Sequence, residues 1–569
     1  MQRATQEAHV ADGARFFVHP TIDALAADII RQHGSAETEK AMLFPSSTSA
    51  NRCIAFFKQQ NPDADVSTIR VLRFVPDANK ASSGSQYVQP RVSAVIYPKE
   101  LWPTAKAFWQ HTGEGISSRQ GEFCHRAFLD GSMIEAGAKH DSPPRLNKGP
   151  RRYQKPTSVD HGSTNGSPPH VNGAHTEKDG IGAPDSAVFV EERFGRNLNA
   201  GFARQAKLAV RKRIAGSLTN DSDLPGSLEE PMDEIKDRSR DVPKFSVDDV
   251  YIYPRGMNAI FNAHLALRSC VREEKSIMYG FPYVDTLKVL EKFGPGAVFY
   301  GHGNASELDE LEKRLEDGER FLSLFCEFPG NPLLKTPDLK RIRELSAKYD
   351  FAVVIDETIG NFLNVHLLPH ADILVSSLTK IFSGDSNVMG GAMILNPESR
   401  YYDRLKQYLA ENYEDNEFEE DGIVLERNSR DFVSRIQRVN HNAEVVADTL
   451  RAHPSVKLVN YPKYSKSRGL YDAYKLADGG YGGLLSATFH DLEDAKVFYD
   501  NLETQKGPSL GTNFTLSSPF VLLAHYGELE WAAKYGCEVS LVRFSVGLED
   551  TEKLKAAFDA ALAAIPSKK

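Results

Sequence analysis

The alternation of apolar and polar positions changes character twice along the chain. Residues 14 to about 135 mix the two short periods. Thr21 to Gln32 carries Ile22, Leu25, Ile29 and Ile30 at helical spacing, and Ser47 to Phe57 predicts a second helix behind a hydroxyl cap. The patches Ala41–Phe44, Ile69–Leu72 and Val92–Ile96 predict strands, so this stretch reads as a folded α/β module. From about Ala136 to Ala187 large aliphatics almost vanish among Pro, Gly, Ser, Asn and His, which predicts a disordered linker unable to bury enough surface to offset its ordering entropy. Beyond Val250 the pattern becomes strand, turn, helix, repeatedly. Tyr251–Tyr253, Ser276–Met278, Phe321–Cys326, Phe351–Ile355 and Ile373–Val375 are short apolar runs. Helical stripes lie between them, such as Leu339, Ile342, Leu345 and Tyr349 behind Thr336–Pro337. Buried strands joined by helices run parallel and cross over right-handedly.

Composition narrows the class without naming a chemistry. The 569 residues are 41% hydrophobic and 25% charged, which is ordinary for a globular chain of several domains. A net charge of -9 gives no reason to expect nucleic acid or an anionic membrane as partner. The five cysteines are widely spaced and form no CxxC pair. That argues against a disulfide framework and a zinc site, and fits a reducing, cytoplasmic setting. No run approaches the roughly 18 apolar residues a membrane span needs, and the first residues have no signal-peptide core. His19, His111 and His125 read as core or surface histidines, and the cluster Arg145, Lys148, Arg151 and Arg152 as solvated linker charge.

The chemistry gathers where the parallel strands end. Phe321–Cys326 runs into Glu327 and Asn331, Phe351–Ile355 stops on Asp356, and Ile373–Val375 delivers Ser377, Thr379 and Lys380. All of these emerge on the carboxyl edge of one sheet, where open α/β sheets bind ligands. Gly256 and Met257 open a helix whose first amides can cradle a phosphate, and Tyr279 ends a strand as a candidate stacking ring. An isolated Asp and Lys would read as a buried ion pair. Together with two hydroxyls and a phosphate cradle they fit pyridoxal phosphate: Asp356 keeps the pyridine nitrogen protonated, Lys380 forms the Schiff base, Tyr279 stacks, and Asn331 steers the phenolic oxygen.

From about Val190 to Ala564 the chain resembles the cystathionine gamma-synthase/gamma-lyase family of fold-type I pyridoxal phosphate enzymes. The resemblance rests on Glu327-x-Pro329-x-Asn331-Pro332, Asp356-x-Thr358, Ser377-x-Thr379-Lys380, Ser509-Leu510-Gly511 and Arg543-Phe544-Ser545-Val546-Gly547-Leu548-Glu549-Asp550. The N-terminal module and the phrase SSLTKIFSGDSNVMGG look most like the fungal members. The resemblance implies a mostly parallel α/β sheet with helices on both faces, a smaller α/β C-terminal domain and an N-terminal α/β extension. The implied division is 1–135 for the extension, 136–187 for the linker, 188–395 for an arm and large cofactor-binding domain, and 396–569 for the C-terminal domain. Carried over by motif, Lys380 holds the cofactor and moves the proton, Asp356 meets the ring nitrogen, and Tyr279 stacks. Gly256, Met257, Ser377 and Thr379 hold phosphate, and Arg543 with Ser509 holds the substrate α-carboxylate. Arg196 matches an arginine that completes the phosphate site of a neighbouring subunit, which implies a homotetramer built from dimers. The implied activity is γ-replacement on an activated homoserine, the acetyl ester in fungal relatives, with cysteine as nucleophile. The alternatives are sulfide or a carbon nucleophile on the same scaffold, γ-elimination of cystathionine, or a scaffold without turnover. Four positions depart from the family pattern: Phe194 in place of tyrosine, Arg255 in place of serine, Gly384-Asp385-Ser386-Asn387 in place of Gly-His-Ser-Asp, and Phe514 in place of glutamate.

Overall fold

The computed structural model describes residues 17–62, 67–77, 87–137, 199–217, 221–224, 226 and 242–567. Residues 138–187 of the expected linker lie outside the described residues, as do Phe194 and Arg196.

The N-terminal module is a four-stranded sheet of β1 (Glu39–Phe44), β2 (Arg70–Pro76), β3 (Val92–Pro98) and β4 (Met133–Glu135), ordered β1-β3-β2-β4 and antiparallel throughout. The short apolar patches fall on β1 to β3. The three-residue β4 is too brief to show a period. Helices Pro20–His33 and Ser47–Gln60 cover the sheet, the second capped by the Ser46 hydroxyl accepting from the Ser49 amide at 3.2 Å. One face buries Leu25, Ile29, Phe74 and Ile96. The other buries Phe44, Phe57 and Phe108 in one cluster with Phe261, Val289 and Phe293, which belong to the following domain, so the two units share a core.

The large sheet holds β5 (Val250–Tyr253), β6 (Ser276–Tyr279), β7 (Ala297–Tyr300), β8 (Ser323–Glu327), β9 (Ala352–Asp356), β10 (Ile373–Ser376) and β11 (Gly391–Leu395) in the order β5-β11-β10-β9-β8-β6-β7. Only β11 runs against its neighbours. The central strands are apolar on both faces because helices cover both, which is why they read as unbroken hydrophobic runs. A third sheet, β12 (Val456–Asn460), β13 (Leu484–Phe489), β14 (Gln505–Lys506), β15 (Leu516–Ser518) and β16 (Leu541–Ser545), is ordered β12-β13-β16-β15-β14. Helices Phe432–Arg451 and Thr551–Ala563 pack against it and against each other.

Candidate active site

Parallel register sets the site. Glu327 pairs with Asp356 across β8 and β9, and Val375 pairs with Asp356 across β9 and β10, so the residues following each strand leave the sheet side by side. Here a cleft of about 240 Å³ is lined by Gly256, Met257, Tyr283, Asn331, Asp356, Ser377, Thr379 and Lys380. Lys380 Nζ donates to Ser509 Oγ at 3.2 Å. Arg543, buried on β16, donates to Asn331 Oδ1 at 3.2 Å and to the carbonyls of Pro508 and Ser509 at 2.5 and 2.8 Å. Its guanidinium lies over the Phe520 ring, 4.6 Å from the centroid.

Asp356 is held by a relay. The Ser377 amide donates to Thr358 Oγ1 at 2.8 Å, and the Thr358 hydroxyl and amide donate to Asp356 Oδ1 at 2.5 and 2.9 Å. Burial nevertheless pushes the Asp356 carboxyl above its ordinary value, against those two bonds. Glu327 is also pushed up, to about 8, by burial and by the nearby Asp356 charge, although the amides of Tyr283 and Asn331 donate to it. A cation beside Asp356 would offset the burial that raises its carboxyl.

The helix Gly256–Cys270 begins at the same edge, and the side chain of its N-cap residue, Arg255, makes no capping bond. A Cβ on Gly256 would come within 2.6 Å of Ser377 Cβ, so glycine is required for the helix start to sit against that serine. Unpaired first amides, a hydroxyl and an uncapped helix dipole suit a phosphate. A carboxylate for a protonated ring nitrogen at Asp356, a phosphate cradle at Gly256 and an amine at Lys380 to meet an aldehyde match the three functions of pyridoxal phosphate, and the cleft fits that group.

Of the sequence-derived set, the structure brings together Gly256, Met257, Asn331, Asp356, Ser377, Thr379 and Lys380, with Ser509 and Arg543 bonded to two of them. It does not bring Tyr279. As the last residue of β6, Tyr279 points into the core and donates its hydroxyl to Asn304 O at 3.0 Å; the aromatic ring lining the cleft is Tyr283. The Thr379 hydroxyl is occupied by Gly390, donating to its carbonyl at 3.2 Å and accepting from its amide at 3.1 Å. Two cleft residues, Tyr283 and Glu327, received no role from the sequence. Glu327 was visible as the polar end of an apolar strand, whereas nothing in the sequence distinguished Tyr283.

The sheet order and the lysine-bearing cleft define a fold-type I pyridoxal phosphate-dependent enzyme. Residues 246–563 match the model of the Cys/Met metabolism PLP-dependent enzymes, and residues 21–117 match that of the fungal trans-sulfuration enzyme N-terminal domain. The chain belongs to the Cys/Met metabolism family of PLP-dependent enzymes. It is 50% identical to the cystathionine gamma-synthase of Neurospora crassa, over 96% of this chain and 91% of that one. It is 39% identical to a cystathionine gamma-synthase-like enzyme, iboG2, of Amanita muscaria, over 97% and 90%. Among solved structures, a Campylobacter jejuni protein holding N'-pyridoxyl-lysine-5'-monophosphate shares the fold, with a TM-score of 0.50 and 22% identity over 55% of this chain and 82% of that one. No described helix is long and apolar enough to cross a membrane.

Proposed function

We propose that the enzyme replaces the γ-substituent of O-acetyl-L-homoserine with the sulfur of cysteine, giving cystathionine, in the cytoplasm. The observation that carries this reading is the placement of Lys380 Nζ 3.2 Å from Ser509 Oγ, with Ser509 O bonded to Arg543. An amino acid whose carboxylate rests on Arg543 then presents its α-carbon to the lysine. Pyridoxal phosphate, when bound, supplies the electron sink that makes the α- and β-protons removable.

The chain's own residues do the rest. The Arg543 guanidinium matches a carboxylate through paired donors, and Asn331 fixes its orientation. Lys380 Nζ takes the proton from Cα and returns it. Asp356, oriented by Thr358, would hold the ring nitrogen of the cofactor protonated. Tyr283, the aromatic residue lining the cleft, would stack on the ring in the role expected of Tyr279. The Gly256 and Met257 amides and the Ser377 hydroxyl hold phosphate; Thr379 joins them only by giving up Gly390. Arg196 is assigned to the neighbouring subunit's phosphate site in a homotetramer, on the strength of its sequence match alone.

A second reading, the same donor with a different acceptor, is favoured by Phe514. This large apolar residue is 39% exposed in the segment after Ser509-Leu510-Gly511, where an acidic side chain is usual. Incubation with acetylhomoserine and competing acceptors, followed by mass detection of products, separates the two. Cystathionine from cysteine is the expected product. Its absence beside a sulfide or carbon-nucleophile adduct selects the second reading, and 2-oxobutyrate from cystathionine without an acceptor selects elimination.

A further inference from the structure

Arg255 lines the cleft immediately before the phosphate-cradle glycine, and its guanidinium is bonded to the N-terminal module. Nη1 donates to Gly113 O and Gly115 O, both at 2.8 Å, and Nη2 donates to Ile116 O at 2.9 Å. All three carbonyls belong to one loop of the N-terminal module, just after the helix Trp102–Thr112. That loop lies directly on the start of the cradle helix. Gly113, at φ +65°, has no room for a Cβ, which would fall 2.7 Å from the Asn258 amide nitrogen, and Asn258 Nδ2 donates to Thr112 O at 3.2 Å. On its other side the Arg255 backbone meets Gly391 so closely that a Cβ there would lie 2.2 Å from Arg255 O. The segment 255–258 is therefore clamped between the large sheet and the module.

A second contact reaches the opposite wall of the site. Arg119 of the module donates to Asn387 O at 2.8 Å, in the loop that follows Lys380, and pairs with Asp421 at 2.8 Å. The Asn387 side chain is fixed by Asn428 at 2.7 Å. Both departures from the family pattern nearest the cofactor, Arg255 and the 384–387 loop, are thus bonded to the module.

We infer that the N-terminal module is a working part of the cofactor site, with Arg255 the positioning residue that couples the 113–116 loop to the phosphate cradle. This rests on the reading that cofactor phosphate sits at Gly256 and Met257. Because the coupling is a free energy shared by two sites, cofactor binding orders the loop to the same extent that the loop favours cofactor. Lysine cannot replace the arginine, since a single ammonium does not span the three carbonyls as a planar fork does.

The test compares hydrogen exchange in the wild-type holoenzyme with that of the same protein stripped of pyridoxal phosphate, together with cofactor titration of Arg255→Met and Arg255→Lys followed by absorbance. Removal of cofactor is expected to speed exchange in peptides covering 109–118 as well as 256–262. Arg255→Met is expected to weaken cofactor binding about tenfold or more, with Arg255→Lys restoring only part. Exchange in 109–118 that ignores the cofactor, or a folded Arg255→Met protein with wild-type cofactor affinity, overturns the inference. If that variant does not fold, the wild-type exchange comparison decides alone. Peptide mapping after borohydride reduction checks the underlying reading separately: cofactor attached anywhere but Lys380 overturns that reading, and this inference with it.

Discussion

Arg543 donates to Asn331 Oδ1 at 3.2 Å, and the two residues come from different sheets, Arg543 from β16 and Asn331 from the turn after β8. The bond joins the proposed carboxylate-binding group to the cleft. Arg543→Lys keeps the charge and loses the fork, so the KM for the amino-acid donor is expected to rise about tenfold or more while bound cofactor is unchanged. Steady-state kinetics beside cofactor absorbance checks both halves.

Asp356→Asn removes the carboxylate proposed to meet the ring nitrogen and keeps the shape. A fall in kcat of about 100-fold or more is expected, with the fold intact by circular dichroism. Activity within a few-fold of wild type would remove Asp356 from the mechanism.

The relay behind Asp356 contributes to stability as well as orientation. Thr358→Val leaves the Ser377 amide and Asp356 Oδ1 each short of one partner, at a cost of about 1–3 kcal/mol. Denaturant unfolding of the cofactor-free protein measures it.

Tyrosines 279 and 283 are expected to separate cleanly. Tyr279→Phe loses the bond to Asn304 O, about 1 kcal/mol of stability, and leaves cofactor binding alone. Tyr283→Ala weakens cofactor binding and alters its absorbance. The reverse pattern would restore Tyr279 as the stacking ring.

Glu327 predicts a pH effect on the cofactor-free protein. Its carboxyl keeps a proton up to about pH 8 when folded, against an ordinary value of 4.5. Between those values the folded chain binds more protons than the unfolded one, so the stability present below the lower value is lost as pH rises through the upper one. The Tm of the wild-type apoprotein should fall across that window, and Glu327→Gln should flatten the fall.

Much of this was legible in the sequence for one reason: a strand buried on both faces is an apolar run, and its end is the first polar residue. Glu327, Asp356 and the Ser377–Lys380 segment were placed at one edge by that rule, and parallel pairing aligned them. The placement of Tyr279 was not legible, because a strand end fixes where a residue sits but not which way its side chain points. The pleat of β6 sends Tyr279 into the core, and the turn before the helix Val284–Lys292 brings Tyr283 to the cleft.

What the sequence determined by itself was the alternation of strand and helix, the polar residues ending each strand, and through ordered motifs the family and its cofactor. Those are local or nearest-neighbour properties, encoded in period and spacing. The tertiary structure alone decided that Arg255 belongs to the N-terminal module, that Arg119 reaches the loop after Lys380, and that Asn331 meets Arg543. Arg255 is 139 residues from its acceptor in Ile116, Arg119 is 268 from Asn387, and Asn331 is 212 from Arg543. Periodicity carries no information over such separations; only packing brings these donors and acceptors together, where burial obliges them to pair.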